Sequence, residues 1–224
     1  MTKTVVFDLD GTLADTSGDL IAAANACFNA RGLGDLLHPV DDALVAFHGG
    51  RAMLRTGYGR VGNDVLMPPG AEDEDYVRLL DHYGQNIAQH TRLYPGVAEA
   101  LDQLSDDGFR LTVCTNKPEG LAQVLLVELG IRDRFGALIG ADTLPVRKPD
   151  PRPYRAAVEA AGGAVENSFL VGDTETDRKT AAAAGVKIAL VSFGPEGDAI
   201  SRLAPDALID SYAELPALAR EWLA

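Results

Sequence analysis

Two carboxylates, Asp8 and Asp10, stand two positions apart at the end of the apolar run in "VVFDLDGT" (5–12). If the strand continued through them, both side chains would point to one face, because side chains alternate along a strand. Close like charges repel and are costly to bury alone, so a partner or a bound proton must compensate them. Two more groups follow apolar runs, and a third lies in a loop. Thr115 and Asn116 end "RLTVCT" and its successor. Asp173 and Asp177 lie in "VGDTETDRKTAAAAG", and Lys148 sits in the loop "RKPDPRPY" that leads into a helical pattern. Singly these are helix caps or surface charges. Together they offer acids for nucleophilic or proton-transfer work, hard oxygen ligands for a divalent cation and a lysine for an anion.

The elements that must position them are short β-rich runs: "TVVFD" (4–8), "RLTVCT" (110–115), "ALIGA" (137–141), "SFLVG" (168–172), "KIALV" (187–191) and "ALI" (207–209). Helical patterns lie between most of them. They cover Pro118 to Leu129, with proline at the favoured first position, Pro153 to Ala161, and Glu175 to Ala184, each stopped by glycine. Alternating strand and helix predicts an α/β fold, a Rossmann-like parallel sheet flanked by helices. In such sheets ligands bind at the carboxyl ends of the strands, which is where the polar groups fall.

Residues 14–86 break the rhythm. "GDLIAAANACFNARGLG", "VDDALVAFHGGRAMLR" and "EDEDYVRLLDHYGQNIAQH" each read as one helix, so a helical cap domain is expected after the first strand. The catalytic core would then comprise 1–13 and 87–224. "MPPGAEDEDY" (67–76) reads as a turn and a solvated helix start, where acids suit the helix dipole.

A net charge of -13 argues against nonspecific nucleic-acid binding and against an anionic membrane surface, so any attraction for an anion must be local. No run approaches a membrane span, and the N-terminus lacks the pattern of a signal peptide, which predicts a cytoplasmic protein. Cys27 and Cys114 sit in apolar patterns and are expected to be buried. "GYGRVG" (57–62) matches a dinucleotide-binding glycine pattern only weakly, because no strand precedes it; a loop between cap helices is the better account. "DLDGTLADTSGD" (8–19) fails as a calcium loop, with Leu13 and Asp19 where Gly and Glu are needed. The four histidines lack metal-ligand spacing.

"DLDGT", "CTNK", "RKPDP" and "GDTETD", in that order, resemble the four signature motifs of the haloacid dehalogenase superfamily, and the insertion resembles its helical cap. Within that superfamily the chain is most similar to phosphoglycolate-phosphatase-like enzymes. The resemblance implies that Asp8 is the nucleophile that forms an aspartyl-phosphate. Asp10 would protonate the leaving alcohol and then deprotonate the attacking water, the crowding of acids favouring its protonated form. Asp8, Asp173 and the Asp10 carbonyl would hold Mg²⁺. Asp177 would hold Lys148 or a metal-bound water, and the Thr115 hydroxyl, the Asn116 backbone N–H and Lys148 would grip the phosphoryl group. Charge counting agrees: four carboxylates plus a phosphomonoester of about two negative charges exceed what Lys148 balances.

The expected partner is a small-molecule phosphomonoester, with no nucleic acid and no membrane, and the chain is expected to be a monomer or homodimer. Other readings are a sugar phosphomutase, a 2-haloacid dehalogenase, which lacks the second acid of the first motif, and a non-enzymatic phospho-acceptor domain. The insertion would act as a mobile lid. It has little aromatic lining, and Arg51 is the only cation of its "HGGRAM" (48–53) segment. Arg51 could pair with a substrate carboxylate, which favours a small phosphorylated acid such as 2-phosphoglycolate over a nucleotide.

Overall fold

A computed structural model describes residues 2–61 and 70–224. Six strands form one parallel sheet in the order β5-β4-β1-β6-β7-β8. They are β1 (Thr4–Phe7), β4 (Arg110–Cys114), β5 (Ala137–Ile139), β6 (Ser168–Gly172), β7 (Lys187–Val191) and β8 (Ala207–Ile209). Two short strands, β2 (Ala14–Asp15) and β3 (Arg92–Leu93), pair with each other. Val5, Val6 and Phe7 have no exposure, as expected of a central parallel strand covered on both faces. Val6 joins Leu170, Ile188, Leu190, Tyr154 and Val158 in the core.

Register determines what the sheet presents at its carboxyl edge. Phe7 lies opposite Val113 on one side and Val171 on the other. The next residues along β1, β4 and β6 therefore emerge side by side, and these include Asp8, Thr115 and Asp173. The ladder extends past the strand ends: Asp8 N–H donates to the Val171 carbonyl and Thr115 N–H to that of Ile139, both at 2.9 Å.

The helices of this unit are α5 (Val97–Asp106), α6 (Glu119–Glu128), α7 (Pro151–Ala160), α8 (Glu175–Ala184) and α9 (Leu215–Trp222). Two starts differ from expectation. Pro118 is the residue before α6, with extended ψ of 136°, rather than its first helical residue. Helix α7 begins at Pro151, two residues early, because the Asp150 side chain accepts from the Arg152 N–H and caps it.

The chain divides into two compact units, Met1–Asp15 with Leu93–Ala224, and Thr16–Arg92. The expected bounds of the inserted unit were 14–86. It holds α1 (Ser17–Ala30), α2 (Ala43–Ala46), α3 (Gly50–Arg60) and α4 (Ala71–Gln85). The segment read as one helix over 40–55 is two, α2 and α3, broken at Gly49, whose φ of 93° no helix accommodates. Gly57, Gly59 and Arg60, expected in a loop, close α3; Tyr58 anchors this end by packing edge-on against Phe28 at 5.0 Å and donating to Asp75. Gly62 and residues 67–69 of the expected turn lie outside the described residues. The helix start that follows is not wholly solvated: Asp75 is fully buried, with Arg31 at 2.6 Å and Arg78 at 3.0 Å. Both cysteines are buried. Among the described residues, no helix is long and apolar enough to cross a membrane.

Candidate active site

At the carboxyl edge of the sheet, Lys148 sits between two carboxylates. Its ammonium is 3.0 Å from Asp8 Oδ2 and 2.6 Å from Asp177 Oδ1, with 1% of the side chain exposed. The other Asp8 oxygen accepts from the Leu9 N–H at 2.7 Å. Asn116, exposed at the end of β4, reaches the Lys148 carbonyl with its side-chain amide at 3.0 Å and so ties the lysine loop to the sheet. Thr115 is buried, and its hydroxyl accepts from the Lys117 N–H at 3.1 Å.

Asp177 has two duties. It forms a reciprocal cap with Thr174 at the start of α8: the Thr174 hydroxyl accepts from the Asp177 N–H, and the Asp177 carboxylate accepts from the Thr174 N–H. Its other oxygen holds Lys148. This position under the end of β6 needs a glycine above it, since a Cβ on Gly172 would fall 2.6 Å from the Asp177 side chain.

Asp173 accepts from the Thr12 hydroxyl at 2.6 Å, and the buried Tyr212 hydroxyl donates to the Thr12 carbonyl at 2.8 Å, steadying the turn after Asp10. Among the described residues, Asp8, Asp173 and Asp177 form the group able to hold a metal ion, with carboxylate oxygens within 4.8 Å of one another.

Burial drives the electrostatics. It pushes the Asp8 carboxyl up to about 7; Lys148 opposes this, while Asp177 and Asp10 add to it. Asp173 is pushed well above the usual carboxylate range by burial first, then by Asp177 and Asp8. Burial disfavours the Lys148 ammonium, but Asp177 and Asp8 outweigh it and hold its pKa above the ordinary lysine value. Three buried carboxylates thus share one lysine. A hard divalent cation matches both the surplus negative charge and the all-oxygen donor set.

The structure therefore gathers Asp8, Thr115, Lys148, Asp173 and Asp177, with Asn116 bracing the lysine loop. Asp10 follows on the same turn, and here the structure adds a residue that the motif reading passed over: Lys117, whose ammonium is 2.8 Å from Asp10 Oδ1. Asp10 is thus faced by a cation as well as by acids. The available signal was the position of Lys117 directly after Thr115 and Asn116. Thr12 was passed over too, although it closes "DLDGT". Arg51 belongs to the other unit. There its guanidinium donates to Asp73 at 2.7 Å, lies 3.5 Å from Glu72 and stacks 4.5 Å from the Tyr76 ring centre.

Comparison with known proteins is consistent with this geometry. The family model described as haloacid dehalogenase-like hydrolase matches residues 5–191. A phosphoglycolate phosphatase of Agrobacterium fabrum is 39% identical over 95% of this chain and 91% of its own length. One from Caulobacter vibrioides is also 39% identical, over 95% and 89%. A crystal structure described as a predicted phosphoglycolate phosphatase from Haemophilus somnus superposes with a TM-score of 0.86 at 26% identity, covering 97% of each chain.

Proposed function

Because the chain belongs to the haloacid dehalogenase-like hydrolases, we propose that it hydrolyses a small phosphomonoester, 2-phosphoglycolate, through an aspartyl-phosphate on Asp8. The carrying observation is the buried Asp8 set 3.0 Å from Lys148 at the edge where Asp173 and Asp177 also emerge. The substrate is inferred from the names of the relatives.

Asp8 attacks phosphorus while the ester oxygen leaves with a proton from Asp10. Water then attacks phosphorus of the aspartyl-phosphate and gives its proton to Asp10, which releases inorganic phosphate and restores Asp8. The nucleophile must be a carboxylate, and the Lys148 ammonium draws Asp8 toward that form. Asp177 keeps Lys148 in place, and the Thr115 hydroxyl and Asn116 backbone N–H receive the phosphoryl oxygens. Asp8, Asp173 and the Asp10 carbonyl suit Mg²⁺, which would supply positive charge for the oxygens of the transferring group.

The test is phosphate release from 2-phosphoglycolate in Mg²⁺. Steady turnover is expected, abolished by EDTA and by Asp8→Asn, whose amide is close in shape but a poor nucleophile. Full activity after exhaustive chelation, or a tenth of wild-type kcat in D8N, would overturn the reading.

A further inference from the structure

Lys117 is buried beyond what its sequence position suggests: 4% of its side chain is exposed, against 20% for its partner Asp10. Its backbone is held on both sides. Its N–H donates to Thr115 Oγ1, and its carbonyl accepts from the Ala141 N–H at 2.9 Å. The ammonium therefore projects from the fixed ends of β4 and β5 onto the side chain assigned to the leaving oxygen. Burying the lysine of such a pair adds little net stability over an apolar side chain of similar volume, so packing does not account for it.

Resting on the phosphatase reading above, we propose that Lys117 is a substrate-binding residue that recognises the carboxylate of an α-carboxylated phosphomonoester. In such a molecule one carbon separates the bridging ester oxygen from the carboxylate carbon. With bonds of about 1.5 Å, a carboxylate oxygen lies about 3 Å from the bridging oxygen. The bridging oxygen meets Asp10, and Asp10 is one hydrogen bond from the Lys117 ammonium. A carboxylate on the adjacent carbon is thus within reach of that ammonium. An ammonium carries three donors, which lets it serve Asp10 and a substrate carboxylate together. A longer chain between the ester and the acid carries the carboxylate past Lys117, so the contact selects two- and three-carbon acids phosphorylated at the α position. In a chain of net charge -13, such a local cation is what an anionic substrate needs. Arg51, the other cation considered for this carboxylate, already donates to Asp73.

The experiment compares 2-phosphoglycolate with ethyl phosphate, which has the same two carbons and no carboxylate, on the Mg²⁺-loaded wild type and on Lys117→Met. The wild type is expected to prefer 2-phosphoglycolate. K117M is expected to lose that preference by about 10- to 100-fold in the ratio of kcat/KM values, the scale of one hydrogen bond to a charged group. Equal losses on both substrates would overturn the proposal, because Lys117 would then only position Asp10. A wild type that does not favour the carboxylated ester would overturn it as well. Should K117M fail to fold by circular dichroism, Lys117→Gln carries the same ratio test. Absence of turnover of either ester by the wild type would sink the phosphatase reading itself, whereas turnover of both with an unchanged ratio sinks only the assignment of Lys117.

Discussion

Replacing Lys148 with methionine removes the ammonium from between Asp8 and Asp177 and keeps most of the side chain's length. Lys148 and Asp177 are both fully enclosed, so solvent does not soften the loss. Removing one partner of a buried pair costs about 3–5 kcal/mol. At roughly 2–4 °C per kcal/mol for a chain of this size, the melting temperature should fall by about 6–20 °C. The loss should also depend on pH. Asp8 is raised from 3.8 to about 7 by burial, even though Lys148 opposes the rise. A carboxyl whose folded pKa exceeds its unfolded one adds stability at low pH that is lost as pH rises through the folded value. In the wild type that loss is nearly complete a little above pH 7. In K148M the folded pKa lies higher, so the decline continues, and the gap between the two proteins widens by up to about 1.4 kcal/mol per pH unit. The assay is thermal unfolding followed by circular dichroism in EDTA at pH 6 and pH 9. A depression equal at both pH values, or none, would refute the reasoning that Lys148 balances these carboxylates.

Two further outcomes follow from the same geometry. Mg²⁺ should raise the melting temperature and bind more tightly at pH 8 than at pH 6, because a proton on Asp8 must leave first; Asp173→Ala should abolish the effect, and calorimetry showing equal affinity at both pH values would contradict it. Gly172→Ala should cost about 1–3 kcal/mol and lower kcat, since its Cβ would press on Asp177; a wild-type melting curve would show that the close approach is not needed.

Much of the fold was legible in the sequence because the parallel strands are buried on both faces and read as unbroken apolar runs. Val5 to Phe7 and Phe169 to Val171 are examples. The polar groups at the strand ends were legible for the same reason, each following such a run. Lys117 was less so: its place directly after Thr115 and Asn116 was the one signal, and its partner Asp10 lies 107 positions away. Asp75 was misread because acids near a helix start are ordinarily solvated; Arg31, directly after α1, and Tyr58 of α3 bury and satisfy it. The break at Gly49 escaped because the flanking residues keep one helical pattern, which outweighed the turn signal of the Gly49–Gly50 pair.

The central place of β1 has a consequence for how the protein is made. Synthesis runs from N- to C-terminus, so β1, which ends just before Asp8, leaves the ribosome before either of its neighbours. One neighbour, β4, follows only after the whole of Thr16–Arg92, and the other, β6, later still. Asp173, which closes the cluster against Thr12, is made 161 residues after it. At about 5–20 residues per second, β1 waits roughly 5–20 s for β4 and roughly 10–30 s for β6. The inserted unit is continuous in sequence and has its own internal contacts, so it can condense during that interval. The order of translation thus separates an early local folding event from a late one of high contact order, and the carboxyl edge of the sheet belongs wholly to the late one.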